Sequence, residues 1–410
     1  MHPRLTRGLA ISAAVFALAG AACTAPRKAA SAGRVVVITP KDDLAPGPYA
    51  GAEDFVRERA KKGDPGEVHA ILPDGIAPGD KRKGGAETAM ADFVAKAAAD
   101  PAVKAIVVDP ALPGCAEGFR RAKAARPELV CVAGDSREDQ LALESSADLV
   151  VDLDRVYRAY LVPWAAKKMG AKSLVAVYSA AEGLDQLAAG YAAREQAIMS
   201  AAAGDFGIKY VSIETPPGTD AAAFARAMTG SWLKDNGPGA ALYCSDPAIA
   251  TSLLAGAIAG NGYLVDAAAA ATSPAYAAVL GLDLSPAKGE ARKERSIVER
   301  EVSRLGLKGR LGLWDADYER ASVTGMAEFA QRAAAANGAS DPRTQLLAAL
   351  SAAAPGGAWI AAYDIDPSTG VKSANHVLLR EDVYVLGSGY LQSALQQVPV
   401  KYLVAGSGSR

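Results

Sequence analysis

One placement recurs along this chain: a carboxylate or hydroxyl comes at the end of a short apolar, β-branched run. Asp42 and Asp43 come after 34–39, Asp74 after 67–72, Asp109 closes 105–109, and Asp135 follows 129–133. Ser179, Glu214 and the pair Ser245 and Asp246 repeat the pattern further on. Read as strand ends, these positions fall where open α/β sheets bind ligands, in the crevice beyond the carboxyl ends of the strands. Carboxylates there accept hydrogen bonds from hydroxyls or amines, which suits a sugar, polyol, nucleoside or cationic ligand better than an anion. Asp and Ser also start helices and turns, and that reading stands beside the first at every one of these positions.

Aromatic residues make up only 6% of the chain, so Trp314 and Tyr318, four residues apart, stand out as faces on which a ring could stack, with Tyr49 as a third. Hydrophobic packing at a strand end accounts for Trp314 equally well. Catalytic constellations are missing. His2, His69 and His376 have no metal-ligand spacing, and there is neither a phosphate-binding Gly-Lys-Ser/Thr loop nor a Gly-x-Ser-x-Gly nucleophile elbow. The expectation is a binding protein, not an enzyme, with no cofactor and no metal.

The elements that would position these residues alternate regularly. Strands are expected at 34–39, 67–72, 105–109, 129–133 and 149–152, with helices between them. The pattern restarts with a helix at 155–169 and strands at 173–178, 209–214, 240–244 and 263–266. Such alternation predicts parallel sheets covered by helices. The expected fold is α/β, with two doubly wound lobes joined by a hinge: 34–153 the first, 154–318 the second, and 319–410 a crossover helix and C-terminal segment shared between them. Within the looser stretch, 278–282 and 309–313 read as strands and 290–304 as an amphipathic helix.

A net charge of -1 removes the electrostatic case for nucleic acid. The N-terminus points outside the cytoplasm. Arg4 and Arg7 precede an apolar stretch at 9–19 and small residues at 19–22, which reads as a cleavable export signal over 1–22. The apolar stretch is shorter than the about 20 residues a membrane span requires. Cys23 after that small-residue run resembles a bacterial lipoprotein box, so lipidation of Cys23 is expected, with secretion by cleavage after Ala21 or Ala22 as the alternative. Residues 24–33 then form a tether. Of the remaining cysteines, Cys131 and Cys244 lie in apolar runs and read as buried thiols; a Cys115–Cys131 bridge is the minor alternative.

Two doubly wound lobes behind an export signal resemble the type I periplasmic-binding-protein superfamily. Within it the chain resembles a family of bacterial exported proteins known only as a domain of unknown function. The shared phrases include Tyr49-Ala-Gly-Ala-Glu53, Leu72-Pro-Asp74, Asp100-Pro-Ala-Val-Lys-Ala-Ile-Val107, Ala111-Leu-Pro-Gly114 and Ala147-Asp-Leu-Val-Val-Asp152. They continue with Leu280-Gly-Leu-Asp-Leu-Ser285, Gly309-Arg-Leu-Gly-Leu-Trp314 and Gly370-Val-Lys372. Where the superfamily commonly has Asn-Asp after the third strand of the second lobe, this chain has Ser245-Asp246. The resemblance implies a lipid-tethered protein that closes over a small polar ligand and hands it to a membrane permease. The alternative is an envelope sensor or regulatory scaffold that carries no transported ligand.

Overall fold

The strands form where β-branched residues can bury both faces. In β1 (Arg34–Thr39), Val35 and Val37 enter one core while Val36 and Ile38 enter the other, the period-two alternation of a strand covered on both sides. A computed structural model of the protein describes residues 33–64, 66–76, 85–180, 186–267, 271–336, 341–366 and 369–403. The export signal, the tether up to residue 32 and Cys23 lie outside these residues.

The first lobe is built on β1, β2 (Val68–Ile71), β3 (Val103–Val108), β4 (Val130–Gly134) and β5 (Leu149–Leu153), all parallel where they pair. Between them run α1 (Pro46–Lys61), α2 (Ala86–Ala98), α3 (Cys115–Ala125) and α4 (Gln140–Ser146). The second lobe follows with α5 (Arg155–Met169), β6 (Ser173–Tyr178), α6 (Gln186–Asp205), β7 (Lys209–Glu214), α7 (Ala221–Asn236), β8 (Ala240–Cys244), α8 (Pro247–Ala259) and β9 (Tyr263–Ala267). Its strands form a parallel sheet in the order β7-β6-β8-β9. Aspartates start several helices by accepting a backbone N–H of the first turn: Asp139 for α4, Asp154 for α5, Asp220 for α7 and Asp246 for α8.

Next come α9 (Ser273–Leu280), α10 (Ala291–Arg304), β10 (Gly312–Leu313), α11 (Tyr318–Ala335) and α12 (Pro342–Ala353). The chain ends with β11 (Trp359–Ile365), β12 (Lys372–Glu381), β13 (Tyr384–Val385), β14 (Gly389–Tyr390) and α13 (Val400–Leu403). The strand expected at 278–282 is instead the end of α9. Pro274 suits a first helical turn and Gly281 closes the helix in the left-handed region at φ 65. A five-residue apolar run cannot distinguish strand from buried helix by periodicity alone.

The late segment returns to the first lobe. β12 pairs parallel with β5 and β11 antiparallel with β12, extending the sheet to β11-β12-β5-β4-β3-β1-β2. Helices α11 and α12 cover one face with α1, while α2, α3 and α4 cover the other. The chain crosses between the lobes between β5 and α5, between β10 and α11, and between β12 and β13. In each sheet the strand order reverses at one point, flanked by β1 and β3 in the first and by β6 and β8 in the second. Crevices at such points are where doubly wound sheets take ligands. No helix among the described residues is long and apolar enough to cross a membrane.

Candidate functional site

The end of β3 carries the most telling side chain. Asp109 is 4% exposed, its backbone N–H is fixed to the Ile38 carbonyl, and among the described residues its carboxylate has no hydrogen-bond or ion-pair partner. Burial holds its pKa well above the usual carboxylate range, and the negative charges of Asp135, Glu319 and Asp152 push it the same way. Gly134, at the end of β4, leaves the room: a Cβ there would stand 2.5 Å from Asp109 Oδ2.

Around Asp109 the neighbouring strand ends supply a rim. Asp135 sits in the left-handed region at φ 39 and is held by Arg137 at 2.7 Å and Arg155 at 3.5 Å. Asp152, on β5, accepts from the Ser136 N–H at 2.7 Å and lies 2.9 Å from His376 Nε2. Burial opposes its charge, yet these contacts bring its pKa down to about 2. Tyr318 opens α11 beside Asp152, Asp109 and Asp135; burial and these charges push its hydroxyl pKa well up. Glu319 is exposed as a residue, but its carboxylate lies against Gly47 of α1. Burial of that group, reinforced by Asp317 and Asp135, raises its pKa to about 7.

The second lobe brings Ser179, Ser245 and Asp246 together at the ends of β6 and β8. Ser179 Oγ donates to Asp246 Oδ2, while Asp246 Oδ1 accepts the Ala248 N–H at 2.8 Å as the cap of α8. The Ser245 N–H is bonded to the Val177 carbonyl. Glu214 lies exposed at the end of β7 and already has an interaction partner.

Asp42, Asp43 and Asp74 are not drawn into the Asp109 cluster. Asp42 and Asp43 occupy an exposed turn, and Asp74, with 80% of its side chain exposed, pairs with Lys41. Trp314 is corrected as a stacking face. It is 1% exposed, packed in the core under β9 and β13 with the Arg158 guanidinium 5.4 Å from its ring, so it offers no open face, and its indole Nε1 has no hydrogen-bond partner among the described residues. Tyr318 is the aromatic that reaches the rim. Tyr49 is half-buried and meets His69 edge-on at 4.8 Å. Cys115, Cys131 and Cys244 are buried free thiols, so the Cys115–Cys131 bridge does not form.

Residues missed from sequence are Asp152, Glu319, Arg137 and Arg155. The strand-end rule would have found Asp152 had it been applied to the last residues of β5. Glu319 is the second residue of a helix, and no strand signal pointed to it.

The crossovers carry charge of a different kind. Arg158 of α5 makes two bonds to Asp266 of β9, at 3.1 and 3.0 Å, with both side chains no more than 5% exposed. Arg380 binds Asp154 at 2.7 Å. Glu381 accepts the N–H groups of Asp315 and Ala316 at 2.9 and 3.3 Å, tying the third crossover to the second. Its burial outweighs those bonds and lifts its pKa to about 8.

A family model described as a protein of unknown function, DUF3798, matches residues 34–312, and a second family model matches 323–404. An uncharacterized protein of Treponema pallidum (strain Nichols) is 30% identical over 224 residues, spanning 52% of this chain and 98% of the relative. Among solved structures, a protein of Clostridium difficile 630 described as a candidate transcriptional regulator is similar with a TM-score of 0.68 at 16% identity, over 86% of this chain and 99% of that one. A sugar ABC transporter of Actinomyces odontolyticus ATCC 17982 has a TM-score of 0.45 at 14% identity, over 75% of this chain and 84% of that one. An ABC transporter periplasmic solute binding protein of Actinobacillus succinogenes 130z, with bound D-allose, has a TM-score of 0.40 at 17% identity, over 57% and 77% of the two chains.

Proposed function

The chain belongs to the DUF3798 family of proteins of unknown function, and we propose that it is an extracytoplasmic solute-binding protein that captures a small polar ligand between its lobes for a membrane permease. The observation that carries this reading is the carboxyl of Asp109, 4% exposed and without an ion pair or side-chain hydrogen bond among the described residues, at the reversal point of the first sheet. A ligand donor hydrogen-bonded to this carboxyl would offset its desolvation. Asp109, Asp135 and Tyr318 then hold the ligand from the first lobe, and Ser179, Ser245 and Asp246 from the second. Asp42, Asp43, Asp74 and Glu214 are exposed strand-end groups outside this set.

A carboxylate-rich rim with a tyrosine favours a sugar, polyol, nucleoside or amine, and the three crossovers are where a hinge would bend. No step of this function is chemical, so the protein is read as a non-enzyme. It is placed in the periplasm or cell envelope, anchored through lipid on Cys23. Labelled fatty acid incorporated in the wild type and lost in Cys23→Ser tests the anchor; an unmodified N-terminus would leave a secreted protein.

Titration calorimetry and solution scattering with a panel of sugars, polyols, nucleosides and amines test the function itself. The expected result is one class that binds and compacts the protein. Binding and compaction by no member would overturn the capture reading and favour an envelope sensor or regulatory scaffold.

A further inference from the structure

Three carboxylates and a histidine converge behind the cleft rim, with which they share Asp152, on the face of the first sheet covered by α4. His376 of β12, 2% exposed, points Nδ1 at Glu144 Oε1, 3.1 Å away, and at Asp364 Oδ2, 3.8 Å away. Glu144 lies on α4 and Asp364 on β11, each with 18% of its side chain exposed, so the cluster is largely buried yet open on one side. All three ligand atoms lie within 4.8 Å of one another. In a tetrahedral zinc site with bonds near 2.0–2.2 Å, ligand atoms stand about 3.3 Å apart. The two His376 distances bracket that value.

Each ligand is held from behind. The other ring nitrogen of His376 lies 2.9 Å from Asp152, the carboxylate–histidine arrangement that orients metal-binding imidazoles. Ser373 Oγ donates to the second oxygen of Glu144 at 2.9 Å, and Asn375 Nδ2 ties β12 to the Glu144 and Ala147 carbonyls of α4 and its cap. The β11–β12 ladder breaks register between Tyr363 and Ile365, so Asp364 sits at an irregularity of the kind that re-aims a side chain.

Charge supplies an independent pointer to a cation. Among the described residues, no lysine or arginine pairs with Glu144, Asp152 or Asp364; His376 is the one basic group facing all three. Three carboxylates face a single imidazole, so the cluster holds an excess of negative charge that a divalent cation would balance, and buried charges are paired or coordinate metals. The Gln140 amide nitrogen fills the middle, 2.6 Å from Asp364, 2.8 Å from Glu144 and 2.8 Å from His376 Nδ1, three neighbours for two hydrogens.

We propose that Glu144, Asp364 and His376 form a binding site for a divalent cation of the zinc type, with Gln140 as the group that moves aside to admit it. One imidazole with two carboxylates suits zinc better than calcium, which takes six to eight oxygens. The ion would clamp the β11–β12 hairpin onto α4 and, through Asp152, steady one wall of the cleft rim. This site stands apart from the ligand reading, and either can fail without the other.

The test is calorimetry on the full chain, stripped with chelator and titrated with Zn2+ and, separately, Ca2+. One Zn2+ per chain is expected, with Ca2+ at least about tenfold weaker. Asp364→Asn and Glu144→Gln should each weaken Zn2+ by at least about tenfold, while the surface variant Asp205→Asn leaves it unchanged. Asp364 lies on the edge strand, so its variant is the one expected to keep the fold, checked by circular dichroism. No Zn2+ bound at micromolar concentration, Ca2+ bound more tightly than Zn2+, or Zn2+ affinity untouched by both variants would overturn the site and leave an internally satisfied ionic cluster.

Discussion

Buried charge is handled in two opposite ways on the two sides of the crossovers. At the crossovers, Arg158 meets Asp266 and Arg380 meets Asp154, with every one of these side chains almost fully enclosed. On the rim, Asp109 is equally enclosed and has no ion pair or side-chain hydrogen bond among the described residues. Desolvation is a comparable cost in both places. At the crossovers ion pairs offset most of it, while Arg380 Nε and Glu381 Oε1 keep no hydrogen-bond partner; at the rim Asp109 has no ion pair among the described residues. Arg380–Asp154 ties β12 to the start of α5, Arg158–Asp266 holds α5 on β9 just past the first crossover, and the rim is where we propose that the ligand sits. Substitutions should therefore divide cleanly, with crossover variants losing stability and rim variants losing binding.

The largest effect is expected from Arg158→Met. It leaves Asp266 charged and buried without its partner, a change that typically costs about 3–5 kcal/mol. Urea unfolding should show that loss; a change below about 1 kcal/mol would mean the pair is not a structural tie. Asp109→Asn should invert the outcome. Stability should change far less than in Arg158→Met, because Asn is nearly isosteric with Asp and the carboxyl it replaces has no ion pair among the described residues. Affinity for the compound that binds should fall roughly five- to hundredfold, the effect of removing one hydrogen-bonding oxygen from a buried site, about 1–3 kcal/mol.

A pH experiment sharpens the crossover half. Glu381 has a folded-state pKa of about 8, above the ordinary glutamate value of 4.5. The folded protein therefore binds this proton more tightly than the unfolded chain does. The associated stability is fully present below about pH 4.5 and is lost as pH rises through about 8. The thermal midpoint of the wild type should thus fall between pH 6 and 9 more steeply than that of Glu381→Gln, which has no proton to lose. Parallel curves would show that Glu381 does not titrate there. The smallest effect belongs to Asp74→Ala at the exposed Lys41 pair, expected to cost no more than about 1 kcal/mol in urea unfolding and to vanish in high salt.

Much of this architecture was legible because it is local. Runs such as Val35 to Ile38 and Leu174 to Val177 announce buried strands by composition, and the aspartate caps mark helix starts. The strand-end rule led directly to Asp109, Asp135, Ser179 and Asp246 as residues near the reversal points of the sheets. It could not distinguish Asp109, which has no ion pair or side-chain hydrogen bond among the described residues, from Asp246, whose carboxylate caps α8 and accepts from Ser179. That difference depends on which groups lie opposite after folding. Trp314 was ambiguous for the same reason, since only the placement of Arg158 against its ring decides that it packs inside. His376 read as an isolated structural histidine because its neighbours Gln140, Glu144 and Asp152 lie more than two hundred residues earlier in the chain. Only the return of β12 to the first sheet brings them together.

The central claim is that the rim around Asp109 captures a small polar compound. Native mass spectrometry of protein isolated from its own cell envelope, wild type beside Asp109→Asn, tests it most directly. The wild type should carry a small polar compound that the equally folded variant has largely lost. A wild type with no bound compound, or a variant carrying the same compound at the same occupancy, would contradict it.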